Sequence, residues 1–335
     1  MTDGINIGII GAGAIGCLFG GNISKVKYNN VTINVYLYTR ERYKKAIRDH
    51  GLIIEQDGKK ENLLNLNIYT KPKYPNHLNI DDKFPFQYLF LTTKTYDLES
   101  VIDEYYEIIK NSKYFIILQN GIGNEEIVKK KISHLKILRA VTSNGALMER
   151  DGYVMRTGEG ITKIGFIKIE NSEKETVKIN KEDKKNLETL KTILSLANLE
   201  TEIVDNIESV CWEKIFINVG INSFGALTGL RNGDLLKIKG LRDIMERAVI
   251  EAVKVAKKKG IELKAKNYVK IMLEIAKKTA MNKNSMLQDI LSGKNKTEIS
   301  FINEKIVSYG KQLGVDVSIN EVVSYLIHGL EKAND

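Results

Sequence analysis

The sequence predicts two parts, an α/β domain built on a parallel sheet and then an all-helical domain. Three observations carry that expectation. The first half alternates short, continuously apolar, β-rich runs with helical stretches, as in a parallel sheet covered on both faces. Its opening run, Ile5 to Ile10, passes directly into Gly11-Ala12-Gly13-Ala14-Ile15-Gly16. Beyond a charged stretch from Lys168 to Lys185, nearly everything has helical periodicity.

The opening strand and the G-x-G-x-x-G that follows it are the fingerprint of a Rossmann-type dinucleotide site. The glycines allow a tight turn, close approach of a pyrophosphate, and close packing of the next helix, which continues through Cys17-Leu18-Phe19-Gly20-Gly21. Phosphates then meet the free N–H groups at that helix's start. Gly11, Ala12, Gly13, Ala14, Ile15 and Gly16 are therefore cofactor-binding candidates. The second strand, Val31 to Tyr38, ends in Tyr38-Thr39-Arg40, with no acid for ribose hydroxyls and with Arg42 nearby. A guanidinium fork suits a 2′-phosphate, so NADP(H) is favoured over NAD(H).

The remaining elements follow in order. Gln87 to Thr93 reads as a buried strand, Asp97 to Ile109 as a helix, and Tyr114 to Gln119 as the next strand. A turn at Asn120 to Asn124 precedes a helix from Glu125. Ile137 to Thr142, Gly152 to Arg156 and Ile161 to Ile167 read as strands that finish the domain. Lys168 to Lys185 is a linker or exposed loop, which puts the domains at 1–172 and 173–335. The expected helices are Asn186 to Ala197, Asn206 to Leu230, Leu241 to Lys259, Ala265 to Lys278, Thr297 to Leu313 and Ser318 to Glu331. The ligand is expected between the two domains, at the carboxyl ends of the strands.

Composition narrows the class. A formal charge of +9 over 335 residues comes from lysines spread along the chain, not from one basic arm, which argues against nucleic acid. Two distant cysteines, Cys17 and Cys211, with no signal peptide and no long apolar run, point to a reducing cytoplasm and no membrane. His50, His77, His134 and His328 are scattered, so no metal is expected. The long helices of the second half suit a homodimer, or equally burial within one chain.

The most informative stretch is Cys211 to Asn222, a helix apolar almost all round except for Lys214, Asn218 and Asn222 at i, i+4 and i+8. At about 3.6 residues per turn these share one face. A buried ammonium and two buried amides are costly unless something polar faces them, and a small polar ligand is the economical answer. Lys94 and Asn120 each follow a sheet strand directly, so both sit at carboxyl ends. Read singly, Lys94 could be a snorkelling lysine, Asn120 a turn residue, Ser285 a helix cap and Glu298 an acid in a first helical turn.

With these residues in view, the chain resembles the ketopantoate reductase (2-dehydropantoate 2-reductase) family over nearly its full length. The resemblance rests on Gly11 to Gly16, Thr93-Lys94, Gln119-Asn120-Gly121-Ile122-Gly123, Trp212-Glu213-Lys214 with Asn218 and Ile221-Asn222, Asn232-Gly233-Asp234-Leu235, Ser285 to Ile290, and Thr297-Glu298-Ile299 leading to Ile302-Asn303. It implies a helical second domain arranged like that of 6-phosphogluconate dehydrogenase. It also implies Lys214 as proton donor to a ketone oxygen, and Asn120, Asn218, Asn222, Asn232 and Ser285 as substrate-binding. Arg40 would hold the 2′-phosphate of NADPH, with Lys94, Asn120, Ala146 and Glu298 on the cofactor side. Two departures stand out. Asn222-Ser223 replaces the family's common Asn-Pro, and Lys71 to Phe86 is longer than a minimal member needs.

The implied reaction is NADPH-dependent reduction of 2-dehydropantoate to (R)-pantoate, a step of pantothenate and coenzyme A biosynthesis. The residues suit it: an ammonium stabilises the oxygen on which charge grows and then protonates it, while amides and a hydroxyl accommodate an anionic, hydroxyl-bearing keto acid. Two rivals remain open. One is a paralogous reductase of another small keto acid; the other is a non-catalytic NADP(H) sensor, for which an ammonium in a substrate cleft has no use.

Overall fold

The computed structural model describes residues 4–74, 84–167 and 178–334, which divide into two units. One runs up to Gln119 and resumes over Glu125–Ile207; the other joins Asn120–Asn124 to Glu208 onward. The expected boundary at 172/173 falls within residues 168–177, outside the described residues. Residues 75–83 of the Lys71 to Phe86 segment, with His77, and residues 168–177 of the expected linker lie outside the described residues.

The first unit opens with β1 (Ile5–Ile10), α1 (Ala14–Ile23), β2 (Ile33–Tyr38), α2 (Glu41–His50), β3 (Leu52–Gln56), β4 (Lys59–Leu63), β5 (Asn67–Tyr69) and β6 (Phe86–Leu91). It continues with α3 (Leu98–Glu104), α4 (Tyr106–Lys110), β7 (Ser112–Ile117), α5 (Asn124–Lys131), β8 (Ile137–Thr142), β9 (Gly145–Arg150), β10 (Tyr153–Gly158), β11 (Thr162–Phe166), α6 (Lys181–Leu196) and β12 (Thr201–Ile203). The larger sheet has the order β12-β11-β8-β7-β6-β1-β2-β5. From β8 to β5 every neighbouring pair is parallel. Relabelled in chain order, those six strands run 3-2-1-4-5-6, the doubly wound order whose direction reverses between β1 and β6. Only the β8–β11 pair is antiparallel, an exception to the expected parallel sheet.

A second sheet, β4-β3-β10-β9, was not anticipated, and the expected strand at Gly152 to Arg156 belongs to it. It explains why α1 is apolar on every side. A Cβ on Gly20 would meet Leu37 and Ile9 of the large sheet, and one on Gly21 would meet Ile54 and Leu63 of the small sheet. The helix lies between two sheets, and glycine lets both approach.

Lys181 to Lys185, expected as loop, are the first turn of α6. Asn180 and Asp183 cap it reciprocally in a capping box. Buried Asp183 also accepts from Tyr114 Oη (2.8 Å) and Lys136 Nζ (2.6 Å), while Asn186 bonds Gln87 and Tyr88. These bonds moor α6 on β6 and β7, so the helix belongs to the first unit. The helix expected at Asp97 to Ile109 is a 3-10 turn, α3 and α4, with a break at Tyr105.

The second unit holds α7 (Ile207–Thr228), α8 (Asn232–Leu235), α9 (Lys239–Lys258), α10 (Tyr268–Lys278), α11 (Ser285–Leu291), α12 (Asn303–Leu313) and α13 (Ser318–Ala333). Thr297 to Leu313 is not one helix, since a 3-10 turn at Ile299–Phe301 precedes α12. Helix α7 runs through the core, where Trp212 packs on Phe216 and Tyr309. Among the described residues no helix is long and apolar enough to cross a membrane.

Candidate active site

In the first unit, the carboxyl ends of β1, β6 and β7 are tied together. Thr92 N–H donates to Ile10 O (2.9 Å) and its hydroxyl to Gly11 O (2.7 Å). Gln119 Nε2 donates to Thr93 O and to Thr93 Oγ1, both at 3.0 Å, and Thr39 Oγ1 donates to Ala12 O at 3.1 Å. The three glycines have different reasons to be bare. Gly11 has φ +88°, and a Cβ there would stand 2.6 Å from Thr93 N; one on Gly16 would stand 2.7 Å from Gly11 O. Both are demanded by packing. A Cβ on Gly13 would meet nothing nearer than Gly11 O at 3.9 Å. Gly13 is the N-cap of α1 and offers no capping side chain. The fold itself does not require glycine at that position, whereas close approach of a phosphate to the N–H groups of Ala14, Ile15 and Gly16 does. The residues present fit a dinucleotide.

At the end of β2, Arg40 is the exposed N-cap of α2. Its neighbour Arg42 is occupied, with its guanidinium 4.7 Å from the Tyr43 ring centroid and Nη2 donating to Tyr43 Oη at 2.8 Å. Lys94, half-buried, opens the 3-10 turn after β6. Ala146 lies on β9, partly buried against the core around α1.

In the second unit, Lys214, Asn218 and Asn222 lie on the unbroken helix α7. Lys214 and Ile217 are half-buried, Asn218 is 9% exposed and Asn222 6%, whereas Ile215, Phe216, Val219 and Ser223 on the other sides are nearly or fully enclosed. The polar line is thus the least covered one along the middle of the helix. Beside Lys214, Glu213 accepts from Tyr268 Oη at 2.8 Å. The family's proline position is filled by Ser223, whose hydroxyl donates to Asn303 Oδ1 at 2.6 Å. Asn303 Nδ2 donates to Asn320 Oδ1 (3.0 Å) and Asn320 Nδ2 to Glu251 Oε2 (2.7 Å). This buried chain locks α7, α9, α12 and α13 together directly behind Asn222.

Three substrate candidates gather around the connection from α10 to α11. Asn232 N–H donates to Asn282 O (3.0 Å), and Asn232 Nδ2 to Thr279 Oγ1 (2.9 Å). Asn284, not Ser285, caps α11: its oxygen accepts from Leu287 N–H at 3.0 Å and its amide donates to Ile221 O at 3.3 Å. That bond draws α11 onto α7 beside Asn222 and leaves Ser285 exposed at the first helical position. Glu298 is not in a helical first turn either. It is 5% exposed, precedes the 3-10 turn, and accepts from Asn120 Nδ2 at 3.1 Å. The Gly121 and Gly123 flanks of that contact, at φ +85° and +84°, press on Phe301 and Lys305, and Ile122 N–H donates to Phe301 O.

Sequence reasoning passed over Thr279 and Asn284, and it named Ser223 and Asn303 without anticipating their contact. Asn284 could have been found as an Asn directly before an apolar helical run. The other three make contacts remote in sequence and leave no local signal.

Comparison with known proteins gives the family. The model of "Ketopantoate reductase PanE/ApbA" matches residues 7–168, and that of its C-terminal domain matches residues 206–331. A 2-dehydropantoate 2-reductase of Pyrococcus horikoshii is 34% identical over 99% of this chain and 98% of its own. Two solved structures share the fold. A ketopantoate reductase of the same family from Ralstonia eutropha has a TM-score of 0.82 at 24% identity, covering 98% of this chain and 99% of the other. D-mandelate dehydrogenase, solved with NADH and anilino(oxo)acetate, has a TM-score of 0.84 at 24% identity and the same coverage. The chain belongs to the ketopantoate reductase family of oxidoreductases.

Proposed function

We propose that this chain is an NADPH-dependent 2-dehydropantoate 2-reductase that forms (R)-pantoate, a precursor of pantothenate and coenzyme A. The first unit serves as the nucleotide domain and the second as the substrate domain. The observation that carries the reading is the Lys214–Asn218–Asn222 line on one side of α7, with Lys214 half-buried and the two asparagines 9% and 6% exposed, among apolar neighbours Ile215, Phe216 and Val219 that are nearly or fully enclosed. When bound, the reduced nicotinamide supplies a hydride to the 2-keto carbon. Lys214 holds its ammonium toward the carbonyl oxygen, stabilises the charge that grows there and gives up a proton. Asn218, Asn222, Asn232 and Ser285 orient the keto acid without adding charge. Glu298 fixes the carboxamide of Asn120, which faces both ligands. The Gly11–Gly16 turn, Lys94 and Ala146 hold the cofactor, and Arg40 pairs with its 2′-phosphate.

The test is oxidation of NADPH and NADH, followed at the nicotinamide absorbance, on adding 2-dehydropantoate or other 2-keto acids. Oxidation of NADPH with 2-dehydropantoate as the best substrate supports the proposal. Preference for another keto acid replaces the substrate, and binding of NADPH without any turnover replaces the enzyme by a sensor. Arg40→Ala should raise the KM for NADPH about tenfold, the order of ~1.4 kcal/mol for one charge-assisted contact, and leave the KM for NADH unchanged. A parallel rise in both would remove Arg40 from 2′-phosphate recognition.

A further inference from the structure

Asn232 is held in a way that decides which end of its carboxamide faces a ligand. Its backbone N–H donates to Asn282 O, and the next N–H, of Gly233, donates to Ala280 O at 3.1 Å. A Cβ on Gly233 would stand 2.4 Å from that of Ala280, so α8 is seated tightly on the turn after α10. The side chain is then fixed by Thr279. The Thr279 hydroxyl donates its only proton to Ile275 O at 2.7 Å, so toward Asn232 it can act only as an acceptor. It accepts from Asn232 Nδ2 at 2.9 Å. Turning the amide over would set two oxygens against each other. The amide nitrogen therefore faces Thr279, and Oδ1 faces the other way.

That oxygen is buried, on a residue 6% exposed, and has no hydrogen-bond partner among the described residues. An orphaned buried acceptor is costly unless a donor reaches it. The carboxylate and ketone of a 2-keto acid are acceptors only and cannot serve. A hydroxyl can.

We infer that Thr279 is a positioning residue that presents the Asn232 carboxamide oxygen to substrate and makes the site select 2-keto acids bearing a hydroxyl over those without one. The inference rests on the keto-acid reductase reading above and specifies what that pocket recognises. It involves no covalent step, only the exchange of an unpaired acceptor for a paired one. A site built to bond a hydroxyl rejects the analogue lacking it strongly, because its own polar group is then left unsatisfied.

The experiment compares kcat/KM for 2-dehydropantoate (4-hydroxy-3,3-dimethyl-2-oxobutanoate) and for 3,3-dimethyl-2-oxobutanoate, which differs only in the missing hydroxyl. It uses the full chain with NADPH, as wild type, Thr279→Val and Thr279→Ser. The wild type should prefer the hydroxylated acid by about a hundredfold or more. Thr279→Val removes the acceptor at nearly constant shape, and should cut that preference about tenfold through loss on the hydroxylated acid alone. Thr279→Ser should restore it. Equal losses on both acids in Thr279→Val would make Thr279 merely structural and overturn the inference. So would a wild type that reduces both acids equally well, which leaves the reductase reading standing and needs no variant to fold. A wild type that reduces neither acid would sink the 2-dehydropantoate reading and this inference with it.

Discussion

Single residues here divide into those the fold needs and those it does not, which the proposed function assigns to a ligand, and glycine shows the difference best. Gly11 and Gly13 stand two apart in one motif, yet only Gly11 has a left-handed backbone and a neighbour where its Cβ would go. Gly11→Ala should destabilise the protein by about 1–3 kcal/mol, the scale of a strained backbone position, and lower its melting temperature. Gly13→Ala should leave stability within about 0.5 kcal/mol and weaken NADPH binding at least tenfold by calorimetric titration. Equal behaviour of the two variants in both assays would mean that Gly13 also serves packing. The motif was legible in the sequence because its spacing is local. The division of labour within it was not, since it depends on Thr93, about eighty residues further on.

At the level of elements, what could be read were long segments with one clear period. The central strands and helices α7, α9, α10 and α13 fall close to expectation. The β3–β4 hairpin was missed because β4 reads Lys-Lys-Glu-Asn-Leu, polar and largely exposed. Its turn, Asp57-Gly58 with φ of +53° and +71°, was a signal left unused. Helix α11 is only seven residues long and too short to show a period. The polar chain Ser223–Asn303–Asn320–Glu251 was invisible because it joins four helices distant in sequence. Glu251 accepts from Ile319 N–H, Asn320 N–H and Asn320 Nδ2, so a carboxylate from α9 caps α13 in place of a local residue. Ser223→Ala should leave Asn303 Oδ1 buried without its donor and cost about 1–3 kcal/mol in urea unfolding. A loss under about 0.5 kcal/mol would show that the chain readily rearranges.

For the whole molecule, the pH dependence of stability carries a signature from His328. Burial lowers its pKa, but hydrogen bonds to Glu331 (2.8 Å) and Glu304 (3.2 Å) outweigh this and raise it above the ordinary 6.5. A raised folded value means the contribution is full below the unfolded pKa and fades as pH rises through the folded one. Glu331 also accepts from Thr297 N–H at 2.6 Å, so the histidine braces the segment leading to Glu298. The melting temperature should therefore fall as pH rises from below 6.5 through the raised value, and His328→Gln should flatten that slope. An unchanged slope in the variant would assign it to other groups.

The account as a whole stands on the basic side chain of α7 being the acid that completes reduction. The most direct measurement is single-turnover oxidation of NADPH by 2-dehydropantoate in wild type and Lys214→Ala, with the NADPH dissociation constant measured on both proteins. A positioned acid contributes about 10²–10⁴-fold, so the reduction rate should fall by that order while the dissociation constant moves less than about threefold. A reduction rate that survives the substitution, or a loss matched by equally weakened NADPH binding, would contradict it.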